Sequence, residues 1–357
     1  MVIGVPKEIK SEEYRVGLIP DVVAVLVRAG HTVLVQHDAG AGAGMKNAEY
    51  EQAGAKIVLT PEEVYGESDL VVKVKEPQKS ELELIRENQM LFTFFHFSSD
   101  PEMTRALIRK KAVCVAYELV READTLPILR PMSEIAGILA VQQGMKYLER
   151  EYGGKGILLS GVAGVRKGRV AVLGGGTVGF HAAQKAASIG AEVTVLEISQ
   201  ERMRAIQNAL PSVETLYSSP QNINSCLKWA DVVVGAVLTP GRRTPVLVRE
   251  EDLDLMEEGS VLVDVSIDEG GVFATSRPTS HRQPIYIHRG IVHYCVPNLP
   301  GIVPRTSTLA LSYASYPYLM DLAAWGEKAF EKNAGLHSGL ALRRGEILNA
   351  NLQEMFT

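Results

Sequence analysis

Short apolar runs alternate with amphipathic stretches along most of the chain, and this alternation restricts the fold more than any other feature. In the first 120 residues the runs are Val2–Val5, Thr32–Val35, Lys56–Leu59, Leu70–Val74, Met90–Phe95 and Val113–Tyr117. Stretches such as DVVAVLVRAG and PEMTRALIRKK lie between them. Strand, helix, strand at this spacing predicts βαβ units and a parallel sheet. Right-handed crossovers then place helices on both faces. A second series begins at Arg169, with runs at Val170–Leu173, Glu192–Leu196, Glu214–Leu216, Val232–Ala236, Val261–Val265 and Ile291–Cys295. The length of 357 residues favours two domains of ordinary size over one.

Residues 132–150, MSEIAGILAVQQGMKYLER, form one long helical pattern between the two series, with Ser133 as its expected N-cap. Such a helix could bridge two domains. The glycine-rich GGKGILLSGVAGVRKGR that follows predicts a hairpin, serving either an oligomer contact or only a surface loop. After Pro304 the pattern turns helical again, through ALSYASYPYLMDLAAWGEKAF and from Gly339 to the end. No third sheet follows, so this tail is expected to pack back on the first domain.

Several function classes are disfavoured. A formal net charge of −5 argues against a general nucleic-acid binder, which needs a basic surface. No apolar run approaches the ~20 residues of a membrane helix. The opening MVIGVPKEIK lacks the apolar core of a secretion signal, so a cytoplasmic location is expected. Cys114, Cys226 and Cys295 are odd in number and widely spaced, which suggests neither a disulfide framework nor a zinc site; no metal is expected.

The sharpest motif is VAVLGGGTVGFHAA. Gly174, Gly176 and Gly179 form G-x-G-x-x-G directly after a predicted strand and at the start of a predicted helix. Glycines there allow the tight turn and let the backbone approach a pyrophosphate, whose charge sits at the helix N-terminus. The next strand, AEVTVLE, ends in Glu197, 18 residues after Gly179. An acidic residue there accepts hydrogen bonds from the adenosine ribose and repels a 2′-phosphate, which favours NAD over NADP. Arg202, five residues on, could soften that exclusion.

Open α/β sheets place ligands at the C-terminal ends of their strands. That rule selects Arg15 after the first run, Lys75 at the end of the fourth, His96 at the end of the fifth, and Asp268 and Asn298 in the second half. Each has a plainer role open to it: Arg15 pairing with Glu12 or Glu13 at the surface, His96 as a hydrogen-bonded strand end, Asp268 initiating the turn at Gly270–Gly271. Together a guanidinium, an amine, an imidazole and a carboxylate beside a nicotinamide site suit oxidation at a carbon bearing an amine and a carboxylate. In VVKVKEP the two lysines separate by position. Lys75 is nearer the strand's C-terminal end, whereas Lys73 is expected to be a snorkelling amine at a sheet edge or under a helix end. Loss of charge at Lys73 should then at most cost stability.

The stretches VPKEIKSEEYRVGLIP, VVKVKEP, FTFFHF, PMSEIAG, LGGGTVGF and SIDEGG with SRPTS resemble the alanine dehydrogenase and transhydrogenase α-subunit family, over essentially the whole chain. The resemblance implies α/β architecture with two doubly wound, Rossmann-like domains of parallel sheets, connected by long helices with an active-site cleft between them. It implies a catalytic domain built from both chain ends, 1–128 plus 305–357, and an NAD-binding domain at 129–304. It implies a homohexamer and reversible NAD-dependent deamination of L-alanine to pyruvate and ammonium. The soluble NAD(H)-binding subunit of a proton-translocating transhydrogenase is the alternative. The family's substrate residues fall on Arg15 and Lys75 and its catalytic residues on His96 and Asp268. Its cofactor contacts fall on Ser133, Thr177, Val178, Glu197, Arg202, Ser219, Val237, Leu238, Val265, Ser266, Ile267, Arg277, Val296, Asn298 and Leu299, besides the three glycines. Glutamate at 197 stands where aspartate is usual, and arginine at 202 where lysine is familiar.

Overall fold

The computed structural model describes residues 1–237 and 244–356. The chain divides into two compact units, residues 1–132 with 301–357, and residues 133–300. The first unit contains β1 (Val2–Val5), β2 (Thr32–Gln36), β3 (Lys56–Val58), β4 (Leu70–Val72), β5 (Met90–Thr93) and β6 (Val113–Ala116). The second contains β7 (Arg169–Leu173), β8 (Glu192–Glu197), β9 (Val213–Tyr217), β10 (Val232–Gly235), β11 (Val261–Asp264), β12 (Ile285–His288) and β13 (Ile291–Tyr294). The tail adds β14 (Leu340–Arg343) and β15 (Glu346–Ile347) to the first unit.

The two sheets repeat one plan. The first runs β15-β14-β6-β5-β4-β1-β2-β3, the second β12-β13-β11-β10-β7-β8-β9. Within each, six strands are parallel and follow the order 3-2-1-4-5-6, so the direction of winding reverses between β1 and β4 and between β7 and β10. Central strands such as VVVG at β10 and VLVD at β11 are buried along their whole length. Helices on both faces leave no solvated side, so these strands read as continuous apolar runs and not as alternating ones. Valine-rich runs of this kind stabilise the sheet by roughly 1.5–3 kcal/mol per fully buried side chain.

Local chemistry sets the helix starts. Thr60, Asp100, Ser199 and Ser219 each accept a backbone N–H from the first turn that follows, and proline occupies that first turn after Thr60, Asp100 and Ser219. The long helix Arg130–Tyr147 starts earlier than its pattern suggests, because Pro131 is accommodated in its first turn. Ser133 is therefore an internal helical residue and not an N-cap.

Three further corrections follow. Both sheets carry antiparallel edges, β12 on β13 and the pair β14–β15 on β6, where only parallel strands were expected. The end of the tail is thus strand as well as helix. The glycine-rich segment makes one isolated antiparallel bridge, Val162 to Val165, and no hairpin ladder. Among the described residues, no helix is long and apolar enough to cross a membrane.

Candidate active site

In the first unit, the C-terminal ends of β1, β4, β5 and β6 carry a concentration of buried charge. Arg15 is 2% exposed and its guanidinium is gripped by its near neighbour Glu13. Nε and Nη2 donate to the two Glu13 oxygens at 2.7 and 2.6 Å, and the Arg15 backbone N–H donates to Oε1 at 3.0 Å. Nη1 lies 3.3 Å from Met132 Sδ. The surface pairing that sequence left open is thus real in partner but wrong in place, since the pair is buried. Gly17 is what lets this segment lie against the end of β4: a Cβ there would stand 2.6 Å from the Val72 carbonyl oxygen.

β4 ends at Val72, three residues before Lys75, and the segment beyond it is held by side chains. Glu8, three residues past the end of β1, accepts the N–H groups of Val74 at 2.7 Å and Lys75 at 3.3 Å on Oε1. The Lys75 carbonyl accepts the Thr93 hydroxyl at 2.9 Å. Lys75 is buried, as is Lys73, whose ammonium pairs with Glu8 at 3.1 Å and Glu81 at 2.7 Å. Lys73 is no snorkelling edge amine; it is among the most deeply enclosed side chains of the unit.

β5 ends at Thr93, and His96 lies beyond it in the left-handed region, φ 48° and ψ 47°. That conformation costs an L-residue with a side chain on the order of 1 kcal/mol. The Glu118 carboxylate, just after β6, offsets the strain by accepting the N–H groups of His96 at 2.7 Å and Phe95 at 3.1 Å. Burial pushes the His96 imidazole down to about 3, and the charges of Lys75, Lys10 and Arg15 push in the same direction. The structure therefore gathers Arg15, Lys75 and His96, with Lys10, into one electrostatic group. At neutral pH the imidazole is therefore uncharged.

The second unit carries the glycine loop. Gly174 has φ 98°, and a Cβ on Gly179 would stand 1.8 Å from the Gly174 carbonyl oxygen. By contrast a Cβ on Gly176 would meet nothing within 4 Å. Two glycines thus close the turn, and the third leaves room for a ligand to approach the N-terminus of the helix Thr177–Ser188. Thr177 and Val178 open that helix. Glu197 ends β8 and is nearly enclosed. Its Oε2 accepts Gly175 N–H at 2.7 Å, and its Oε1 accepts Ile198 N–H at 2.8 Å and Ser199 N–H at 2.9 Å. A carboxylate has about four acceptor positions, so a ribose hydroxyl would share Glu197 with the backbone. The Arg202 guanidinium lies 3.9 Å from the same carboxylate.

The remaining predicted residues of this unit lie at other strand ends. Ser219 caps the helix Pro220–Leu227 through its hydroxyl. Ser266 donates to the Val237 carbonyl at 2.7 Å, next to Val265 and Ile267 beyond β11. Asp264, buried at the end of β11, accepts Ser266 N–H at 3.1 Å and Val272 N–H at 3.0 Å and so shapes the turn that carries Asp268. Asp268 is exposed and accepts Asn298 N–H at 3.4 Å. Asn298 has φ 57° and follows Val296, with Leu299 next in the turn after β13. Arg277 is exposed, its guanidinium 4.3 Å from the centre of the Tyr286 ring. Ser133 lies in the first turns of the helix Arg130–Tyr147. Leu238 lies outside the described residues.

Sequence reasoning missed Glu8 and Glu118, and Asp264 in the second unit. Each carboxylate ends or closely follows an apolar strand, a position where sequence offers the signal of a charge with no solvated face to occupy.

The chain matches two family models, "Alanine dehydrogenase/PNT, N-terminal domain" over residues 4–136 and "Alanine dehydrogenase/PNT, C-terminal domain" over residues 140–350. It is 46% identical to an alanine dehydrogenase of Staphylococcus saprophyticus, over 99% of this chain and 96% of that one. It is 45% identical to alanine dehydrogenase 2 of Staphylococcus aureus, over 100% of this chain and 96% of the relative. Among solved structures, an L-alanine dehydrogenase superposes with a TM-score of 0.96 at 46% identity, covering 100% of this chain and 99% of that one. A transhydrogenase of Sinorhizobium meliloti superposes with a TM-score of 0.85 at 22% identity, over 98% and 100% of the two chains, a likeness of fold alone. With relatives spanning it from end to end and both of its halves matched, the chain belongs to the alanine dehydrogenase/PNT family.

Proposed function

We propose that this protein is an amino-acid dehydrogenase catalysing the reversible NAD-dependent oxidative deamination of L-alanine to pyruvate and ammonium. The observation that carries the reading is the group of buried Arg15 and Lys75 with half-buried His96 at the strand ends of the first unit, in a chain like alanine dehydrogenases over its full length. A subunit that passes hydride to a second nucleotide would have no use for an arginine, a lysine and an imidazole collected for a small oxo acid.

In this reading Arg15 receives the substrate carboxylate. Glu13 holds the Nε and Nη2 edge of the guanidinium and so fixes the plane in which it meets the carboxylate. Lys75 donates to the same carboxylate or to the developing carbonyl oxygen. His96 takes and returns the protons of carbinolamine formation and collapse. Asp268 orients water or relays a proton. The second unit holds the dinucleotide: Gly174, Gly176 and Gly179 shape its pyrophosphate cradle, and Glu197 meets the adenosine ribose. The room at Gly176 and the carboxylate on Glu197 fit that group. When bound, NAD supplies the hydride acceptor for oxidation at the α-carbon. Assembly as a homohexamer and a cytoplasmic location go with the family resemblance, and sedimentation tests the assembly.

The test is the reductive reaction. The protein is mixed with pyruvate, ammonium and NADH at mildly alkaline pH while the absorbance of the reduced cofactor is followed. Steady oxidation of NADH that depends on both pyruvate and ammonium is expected. Absence of oxidation would overturn the assignment.

A further inference from the structure

We propose that Glu8 and Lys73 are positioning residues that fix the backbone of Lys75, and through it the ammonium offered to the substrate. The inference rests on the reading of Lys75 as a substrate contact.

Three observations carry it. First, the place is chosen by topology. β1 and β4 are the adjacent strands between which the winding of the first sheet reverses, and Glu8 and Lys73 follow their C-terminal ends. Ligands of doubly wound sheets bind at this reversal. Second, the segment that carries Lys75 is no longer strand. Its N–H groups at 74 and 75 are both held by the single oxygen Oε1 of Glu8. The orientation of that carboxylate in turn depends on Oε2, which Lys73 holds at 3.1 Å. Third, Lys73 is itself anchored from behind. Glu81 accepts from it at 2.7 Å and from the Tyr65 hydroxyl at 3.0 Å, while its other oxygen accepts Gln78 N–H at 2.8 Å, so the far end of residues 73–78 is tied to the same network.

A stability role alone is a poor explanation for these charges. The side chains of Lys73, Glu8 and Glu81 are 1%, 1% and 3% exposed, and two carboxylates face one ammonium. Buried ion groups of this kind are often no more stable than apolar residues of the same volume, and their best attested use is to specify one conformation among several. Here the conformation specified is a segment past the end of β4. Its backbone is tied to the β5 side only by Lys73 N–H to the Phe92 carbonyl and Phe94 N–H to the Val74 carbonyl, both at 3.2 Å, while the N–H groups of residues 74 and 75 are left to Glu8.

The experiment compares four variants of the full chain: Glu8→Gln, the double variant Lys73→Met/Glu81→Gln, Lys75→Met, and Glu8→Gln combined with Lys75→Met. Glu8→Gln keeps the volume and one acceptor oxygen but removes the charge that holds Lys73. The double variant removes the ammonium without leaving Glu81 charged and unpaired, and covers the case in which Glu8→Gln does not fold. Pyruvate binding to the NADH-loaded protein is measured by calorimetry without ammonium, together with NADH affinity, kcat and KM. Misplacing a binding group by about 1 Å can cost around 10²-fold. Pyruvate affinity is therefore expected to fall about 10-fold or more in Glu8→Gln and in the double variant. NADH affinity should stay within about twofold, a split that general loosening of the fold would not produce. Adding Lys75→Met to Glu8→Gln should cost no more than Lys75→Met alone, because nothing is left to position. If Lys75→Met impairs pyruvate binding while Glu8→Gln and the double variant bind pyruvate normally, the positioning inference falls and the role of Lys75 stands. If Lys75→Met itself binds pyruvate normally, the underlying reading of Lys75 falls, and the inference with it.

Discussion

His96 combines two costs that sequence could not display: a left-handed backbone and an imidazole held among cations. Its folded-state basicity is depressed to about 3 by burial first and then by Lys75, Lys10 and Arg15. The sign follows from linkage. The unfolded chain, with an ordinary histidine near 6.5, binds the proton first as pH falls, so the stability associated with a neutral His96 is complete above about 6.5 and is lost progressively toward about 3. In His96→Gln, the acid-induced fall in unfolding free energy across that window should be shallower than in the parent, measured by denaturant titration at stepped pH. Identical slopes would mean that His96 is not held neutral. The same cations have a kinetic consequence. A bound substrate carboxylate offsets their charge, so the acid limb of kcat for alanine oxidation should lie at higher pH than the acid limb of kcat/KM, which reports the free protein. Sequence identified Arg15, Lys75 and His96 because residues at the ends of apolar runs are conspicuous. It did not reveal Glu8, Glu118 or the burial of Lys73, because which oxygen meets which N–H is decided by chain segments far apart in sequence.

At the scale of the element, the parallel strands were legible because burial on both faces writes itself as an unbroken apolar run. The edges were not. β12 is short and half-exposed, and β14 pairs with β6 through an irregular register, so neither shows a clean period. β4 is two residues shorter than its apolar run, because Val74 continues the apolar pattern although Glu8, and not a neighbouring strand, holds its N–H. The glycine loop was legible in residue type, and the structure separates the tasks of its members. Gly176→Ala places a methyl group where the protein has nothing within 4 Å, on a backbone that alanine tolerates. That variant should melt close to the parent temperature yet lose NADH affinity by an order of magnitude or more, read by fluorescence titration. Gly179→Ala drives a methyl group against the Gly174 carbonyl at 1.8 Å and should lose both thermal stability and NADH binding. Unchanged NADH affinity in Gly176→Ala would remove the loop from the cofactor site.

At the scale of the whole molecule, the decisive feature is that residues 301–357 return to the first unit. The return is more than added bulk, because the helix Pro304–Trp325 supplies hydroxyls to the segment that bears Arg15. Thr308 Oγ1 accepts Val16 N–H at 3.3 Å, and Ser312 Oγ accepts Ile19 N–H at 3.2 Å, across 292 and 293 residues of sequence. All four residues are buried, so these amides have no water to turn to. Sequence indicated that the tail needed a host but could not specify this pairing, since threonine and serine within a long helix carry no sign of their targets. Thr308→Val preserves shape and removes the acceptor. Leaving a buried N–H without it costs about 1–3 kcal/mol, and the loss lies one residue from the guanidinium. Thr308→Val should therefore lower the unfolding free energy in denaturant and raise KM for pyruvate, with NADH affinity unchanged. Ser312→Ala removes an acceptor four residues from Arg15 and should reproduce the stability loss with a smaller change in KM. If both variants lose stability equally but neither moves KM, the returning helix supports the unit without placing the arginine. If Thr308→Val alone moves KM, the end of the chain takes part in setting the position of a residue near its beginning.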